Sequence, residues 1–111
     1  GVFQGKIFVK DIAQKTDAYQ LSKALLLDNN SEFNAKPELE IYADDVKCSH
    51  GSTSGSIDED SIHYLMTRGL TRENSTKLLI KGFLIDVVDF IKSNSIKKFI
   101  ETKLEDQVNG Y

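Results

Sequence analysis

ELEIYADDVKCSHGSTSGSI, residues 38–57, alternates apolar and polar side chains, crosses two aspartates and ends among small residues. Alternation with a period of two is the signature of a strand with one covered face. If the strand runs on past the aspartates, Leu39, Ile41, Ala43, Asp45, Lys47 and Ser49 share one face. Glu40, Tyr42, Asp44, Val46, Cys48 and His50 then share the other. On that reading the chain's single cysteine and His50 point the same way, about 7 Å apart along the backbone. Gly51 and Gly55 bracket a flexible, polar run expected to be a turn or loop.

Two further apolar runs lie upstream, KIFV (6–9) and ALLL (24–27), and each of the three is followed by Asp or Asn. Asp11, Asp28 with Asn29 and Asn30, and Asp44 with Asp45 mark these stops, at intervals of 17 and 16 residues. Short strands punctuated at near-regular intervals suit either a stacked β-solenoid or an ordinary meander. Pro37 is expected at the start of a strand, where no ladder hydrogen bond is lost.

Near residue 57 the period becomes helical. Ser56 or Asp58 can cap a helix carrying Ile62, Leu65 and Met66 on one face, and Gly69 stops it. Thr71 can cap a second helix running to about Ser93. Its stripe is Leu79, Phe83, Val87 and Phe90 or Ile91, widened by Ile80, Leu84 and Val88. Ile96, Phe99, Ile100, Leu104 and Val108 then recur at i, i+3, i+4 spacing over residues 95–108.

Composition narrows the function classes. Of 111 residues, 40% are hydrophobic and 28% charged, as in a globular chain, and a net charge of −3 opposes a nucleic-acid surface. Lys97, Lys98 and Lys103 gather locally, but Glu101 and Glu105 interleave with them as on a solvated helix face. No apolar run approaches the roughly 20 residues that cross a bilayer. A single cysteine demands no oxidising compartment, so the cytoplasm is the expected location. The opening GVFQGKIFVK has no initiator Met and reads like the interior of a longer chain, which leads us to expect a fragment.

Three chemistries are open for the region around Cys48. A structural zinc site wants four ligands in paired spacing, and His63, thirteen residues beyond His50, falls on the first predicted helix. A partial metal site completed by a second chain needs fewer ligands from this one. A thiol enzyme would need a base and an orienting group beside Cys48; His50 is in reach, but no third group is evident. An inert, half-buried cysteine beside a turn is the third option. Nucleotide, Walker-type, HExxH, GxSxG and EF-hand motifs do not occur.

At LEIYADDVKCSHGSTSGSIDEDSIHYLMTRGL the sequence resembles the C-terminal part of the SufB/SufD family of iron–sulfur cluster assembly scaffolds. The resemblance rests on Pro37, Leu39, Glu40, Ile41, Ala43, Asp44, Asp45, Val46, Cys48, Ser49, His50, Gly51, Thr53, Gly55, Ile57 and Asp58, with Arg68–Gly69–Leu70 ending the helix. Ala13–Gln14, Thr16–Asp17–Ala18, Gln20 and Leu25–Leu26–Leu27 extend it upstream. Cys-Ser-His-Gly is similar to the SufD branch, whereas the SufB branch carries Glu-His-Glu-Ala there. Ser52 departs from the usual Ala, and LSKALLL lacks the family's Asn-rich lead into the strand.

The resemblance implies the last rungs of a right-handed parallel β-helix, about 4–57, followed by a bundle of about three α-helices, about 58–108. The domains would be 1–57, part of the β-helix core, and 58–111, a helical segment. It implies a non-enzymatic scaffold, partnered by a SufB-like subunit and a SufC-like ABC ATPase, or self-associated as a homodimer. His50 and Cys48 would be interface ligands for iron or a nascent cluster held transiently, with no stably bound cofactor. Glu59, Asp60 and Arg68 would be docking contacts. The alternative of a thiol-dependent or persulfide-accepting enzyme using Cys48 and His50 stays open, as does the inert reading.

Overall fold

The computed structural model describes residues 1–110 and has a mixed β and α architecture. Four strands come first: β1 (Val2–Val9), β2 (Asp17–Leu26), β3 (Asn34–Ile41) and β4 (Lys47–Ser56). Three helices follow: α1 (Glu59–Thr67), α2 (Arg72–Val88) and α3 (Asn94–Asn109). The chain divides into two compact units, Gly1–Ser56 and a helical unit beginning at Ile57.

In the β unit, alternate strands pair. β1 lies parallel to β3 with Val2 beside Asn34, an offset of 32 residues. β2 lies parallel to β4 with Asp17 beside Lys47, an offset of 30. The chain therefore changes sheet at every corner and returns to its own side after two strands. The Asp interval of 16–17 residues is half of that return. Asp11 and Asp45 accordingly fall in equivalent corners, and hydrogen bonds tie these together. Lys15 N donates to the Asp45 carbonyl at 2.6 Å, Asp45 N to Gln14 Oε1 at 2.9 Å, and Lys47 N to the Thr16 carbonyl at 2.9 Å. Asp28 shapes the opposite corner, accepting from Asn30 N at 2.7 Å.

These corners correct four of the sequence expectations. Residues 38–50 are not one strand: Asp44 and Asp45 form a bend, because the Asp45 amide and carbonyl serve the neighbouring corner instead of a ladder. GSTSG (51–55) is no turn but the heart of β4, held by pairing with Leu21–Leu25. ALLL supplies only the end of β2, whose polar first half carries no apolar run. Pro37 sits within β3 opposite Gly5; β3 borders only β1 among the described strands, leaving an edge where a missing N–H is tolerated.

Gly5 fixes which faces look inward. A side chain there would meet the Gln20 carboxamide at 2.7–2.9 Å, so Gln20 of one sheet lies across Gly5 of the other. By alternation, Phe3, Ile7 and Val9 of β1 and Ala18, Ser22 and Ala24 of β2 share that inner space. Val9 is 3% exposed and Ser22 is buried, in agreement. Outside, Lys6 pairs with Glu40 at 3.1 Å and Glu38 at 3.7 Å, and the Tyr42 hydroxyl donates to Glu40 at 2.6 Å. The Tyr42 hydroxyl, and then Lys6, hold the Glu40 carboxyl below its usual range.

The helical unit follows its local signals. Asp58 caps α1, accepting from Asp60 N at 3.1 Å and the Ser61 hydroxyl at 2.8 Å; the Ser61 hydroxyl and then the Asp60 amide hold its carboxyl below the ordinary range. Gly69, at φ 99°, closes the helix: its N–H reaches the Met66 carbonyl and that of Leu70 the Leu65 carbonyl. Thr71 caps α2 through Asn74 N at 3.1 Å. Lys81 pairs with Glu105 between α2 and α3, and Lys97 with Asp89 at 3.0 Å.

Two helix expectations change. α2 stops at Val88, not Ser93, because Phe90 N and Ile91 N bond three residues back, to the Val87 and Val88 carbonyls, tightening the last turn. Its covered side passes through Ser75 and Val88, while Val87 (65%) and Phe90 (85%) stand exposed. In α3 the covered end is Val108, and Ile96 and Phe99 are exposed.

Candidate functional site

β4 carries both residues of chemical interest. Lys47 follows the Asp44–Asp45 bend, so Cys48 and His50 enter a strand aligned by β2: Cys48 beside Ala18 and His50 beside Gln20. Register neighbours in a parallel sheet project to the same side, so both share the inner face with Gln20. Cys48 is a free thiol and half-buried, while His50 is exposed. The expected common face of Cys48 and His50 is therefore present. Asp44 and Asp45 do not extend it, because the bend removes them from the strand.

The donor set is small. Among the described residues no group of three or more His, Cys, Asp or Glu side chains is gathered as a metal would require. Cys48 and His50 supply one soft and one borderline donor on a single strand, about 7 Å apart at the backbone. A thiolate and an imidazole suit iron or zinc chemically, but two donors do not close a shell. Gln20 adds a buried Nε2 with no hydrogen-bond partner. Gln20 enters the sequence only as part of the family resemblance; its place beside His50 depends on the 30-residue register, which no local pattern encodes.

On the outer face of the same strands, Tyr19 reaches diagonally from beside Ser49 to Gly51. Its hydroxyl lies 2.5 Å, and Leu21 Cδ1 3.5 Å, from where a Cβ of residue 51 would sit. Gly51 leaves room for that approach and sits within a strand, not a turn.

The residues expected to dock a partner all lie in or beside α1. Glu59 is held by Arg72 Nη2 at 2.7 and 2.8 Å. Arg68 is the C-cap of α1, its guanidinium 5.0 Å from the Tyr64 ring centroid. Asp60 is exposed in the first turn, its N–H donated to Asp58. Between α2 and α3 runs a groove of about 370 Å³ with an apolar floor that includes Leu84 and Val108 and a rim of mixed charge, Lys81 and Lys98 with Glu101 and Glu105. No helix among the described residues is long and apolar enough to cross a membrane.

With this geometry in hand, the comparisons with known proteins agree on one family. The family model described as SUF system FeS cluster assembly, SufBD core domain, matches residues 1–83. The chain belongs to the SufBD family. The SufD iron-sulfur cluster assembly protein of Escherichia coli (strain K12) is 37% identical over 109 residues, 98% of this chain and 26% of that protein. An iron-sulfur cluster assembly SufBD family protein of Synechocystis sp. is 43% identical over 96 residues, 86% of the chain and 21% of its own length. The chloroplastic protein ABCI7 of Arabidopsis thaliana is 37% identical over 110 residues, 99% of the chain and 22% of its own length. The chain thus spans about a quarter of the length of these relatives. Its SufBD core match covers all four strands, α1 and most of α2, and therefore includes Cys48 and His50.

Proposed function

We propose that this chain is part of a SufD-like scaffold subunit of the iron–sulfur cluster assembly machinery, working with a SufB-like subunit and a SufC-like ABC ATPase. The strands are read as the last turns of a right-handed parallel β-helix, making residues 1–57 the end of the core and residues 58–111 a helical segment. The role is structural and ligand-presenting, not catalytic, and a lone reduced thiol suits a cytoplasmic setting.

The observation that carries the reading is the pairing of SufBD membership with Cys48 and His50 on one face of a strand that offers only two donors. Iron or a nascent cluster, the cargo of the reaction, would be held there only transiently, completed by ligands from a second chain. A rigid strand presents such donors well. The helices would receive the ATPase, with Asp60 as the first docking contact. Glu59 and Arg68 would join it only after Arg72 and Tyr64 release them. Self-association as a homodimer is the other assembly this surface would serve.

Co-purification of the full-length protein with its SufB-like and SufC-like partners tests this. His50→Ala should reduce bound iron and sulfide while leaving the complex intact. Unchanged iron content would remove the ligand role of His50.

A further inference from the structure

β4 is poorly anchored for a strand asked to present ligands. Its sequence, KCSHGSTSGS, contains no large apolar side chain, and every residue except Cys48 and Gly51 is exposed. Its ladder is with β2. Two glycines further weaken it, since glycine in a strand gives up packing and costs backbone entropy. Apart from its ladder with β2, little side-chain burial steadies the backbone at His50.

The large side chain positioned to do this is Tyr19. It starts beside Ser49 in the register and leans diagonally to Gly51, so it covers the outer face across the two residues flanking His50. Diagonal cross-strand contacts of this kind are within reach of an aromatic ring. An aromatic laid over a strand glycine supplies the packing which that glycine lacks. Tyr19 is 62% exposed, and the atoms it brings to Gly51 are the ring tip, its hydroxyl and Cζ.

We propose that Tyr19 is a positioning residue, clamped over Gly51 so that β4 presents Cys48 and His50 in a fixed geometry on the opposite face. Tyr19 touches no ligand itself and acts through the backbone of residues 49–51. The role rests on the ligand reading of His50 above, and the two can be separated experimentally.

The test uses the full-length protein in complex with its partners, with hydrogen exchange and iron content measured on the same samples. Tyr19→Ala should speed exchange across residues 47–53 about twofold to fivefold, leave β1 and β3 unchanged, and lower bound iron. Tyr19→Phe loses the hydroxyl but keeps the ring tip, whose Cζ lies 3.5 Å from the Cβ position of residue 51, and should restore most of both readouts. If Tyr19→Ala fails to assemble, Gly51→Ala carries the test, since its new Cβ would meet the Tyr19 hydroxyl at 2.5 Å and lift the clamp from the other side. Unchanged exchange in these variants overturns the clamp. Faster exchange with unchanged iron overturns the positioning role, as does a Tyr19→Phe protein no better than Tyr19→Ala. His50→Ala should lose iron without altering exchange; if it keeps its iron, the ligand reading fails, while the exchange result still judges the clamp.

Discussion

The two units of this chain are built by opposite means. In the helical unit, each boundary is written within four residues of where it acts: Asp58 caps α1, Gly69 ends it and Thr71 starts α2. In the β unit, nearly every defining contact joins residues 15 to 34 positions apart, from Gly5 with Gln20 to Lys6 with Glu40. A helix can therefore be adjusted one cap at a time. A strand such as β4 takes its position from a partner a full turn of chain away. The candidate ligands sit on the strand with the weakest local specification, which places their geometry under the control of remote residues.

The largest effect that would test this contrast is in the helical core. Ile62 is 3% exposed, and Ile62→Ala should cost about 2–4 kcal/mol in denaturant unfolding through lost burial and the cavity left behind. Next comes Gly5→Ala. A strand glycine replaced by alanine ordinarily gains stability, but here the Cβ meets the Gln20 carboxamide, and a loss of about 1 kcal/mol is expected. Combining it with Gln20→Ala should abolish that loss, a coupling that a purely local account of β1 does not allow. Thr71→Ala, a local cap, should cost about 1 kcal/mol with no coupling to any strand residue.

The smallest effect is the pH dependence. Asp58 and Glu40 both have folded-state carboxyls held below the ordinary range, Asp58 chiefly by the Ser61 hydroxyl and Glu40 chiefly by that of Tyr42. Each contributes stability that is complete above its unfolded pKa and lost as pH falls through the lowered folded value. These two groups therefore leave stability flat near neutrality and make it decline in acid. Ser61→Ala should shrink the acid dependence in the helices, and Tyr42→Phe should shrink it in the strands, as followed by unfolding at stepped pH.

Legibility in the sequence divides along the same line. The helix caps were readable because capping and left-handed glycine are local chemistry, and both Asp58 and Gly69 act as their residue types dictate. The corners were half readable. Asp11, Asp28 and Asp45 marked the stops, but the interval between them is half the repeat, since consecutive strands enter different sheets. The second half of β4 is not legible, because GSTSG carries turn-like composition and becomes strand only through its register with β2. The shared face of Cys48 and His50 was foreseen through alternation alone. Gln20 and Tyr19 were not, because nothing in their surroundings points to residues 30 or more positions away.

Under the proposed function, Cys48 and His50 form half of a site that a second chain completes. Anaerobic titration of iron(II) into the full-length protein, alone and then with its SufB-like partner, tests it most directly. Negligible uptake by the protein alone, uptake on mixing, and loss of that uptake in His50→Ala are expected. Equal uptake with and without the partner, or uptake indifferent to His50, would contradict it.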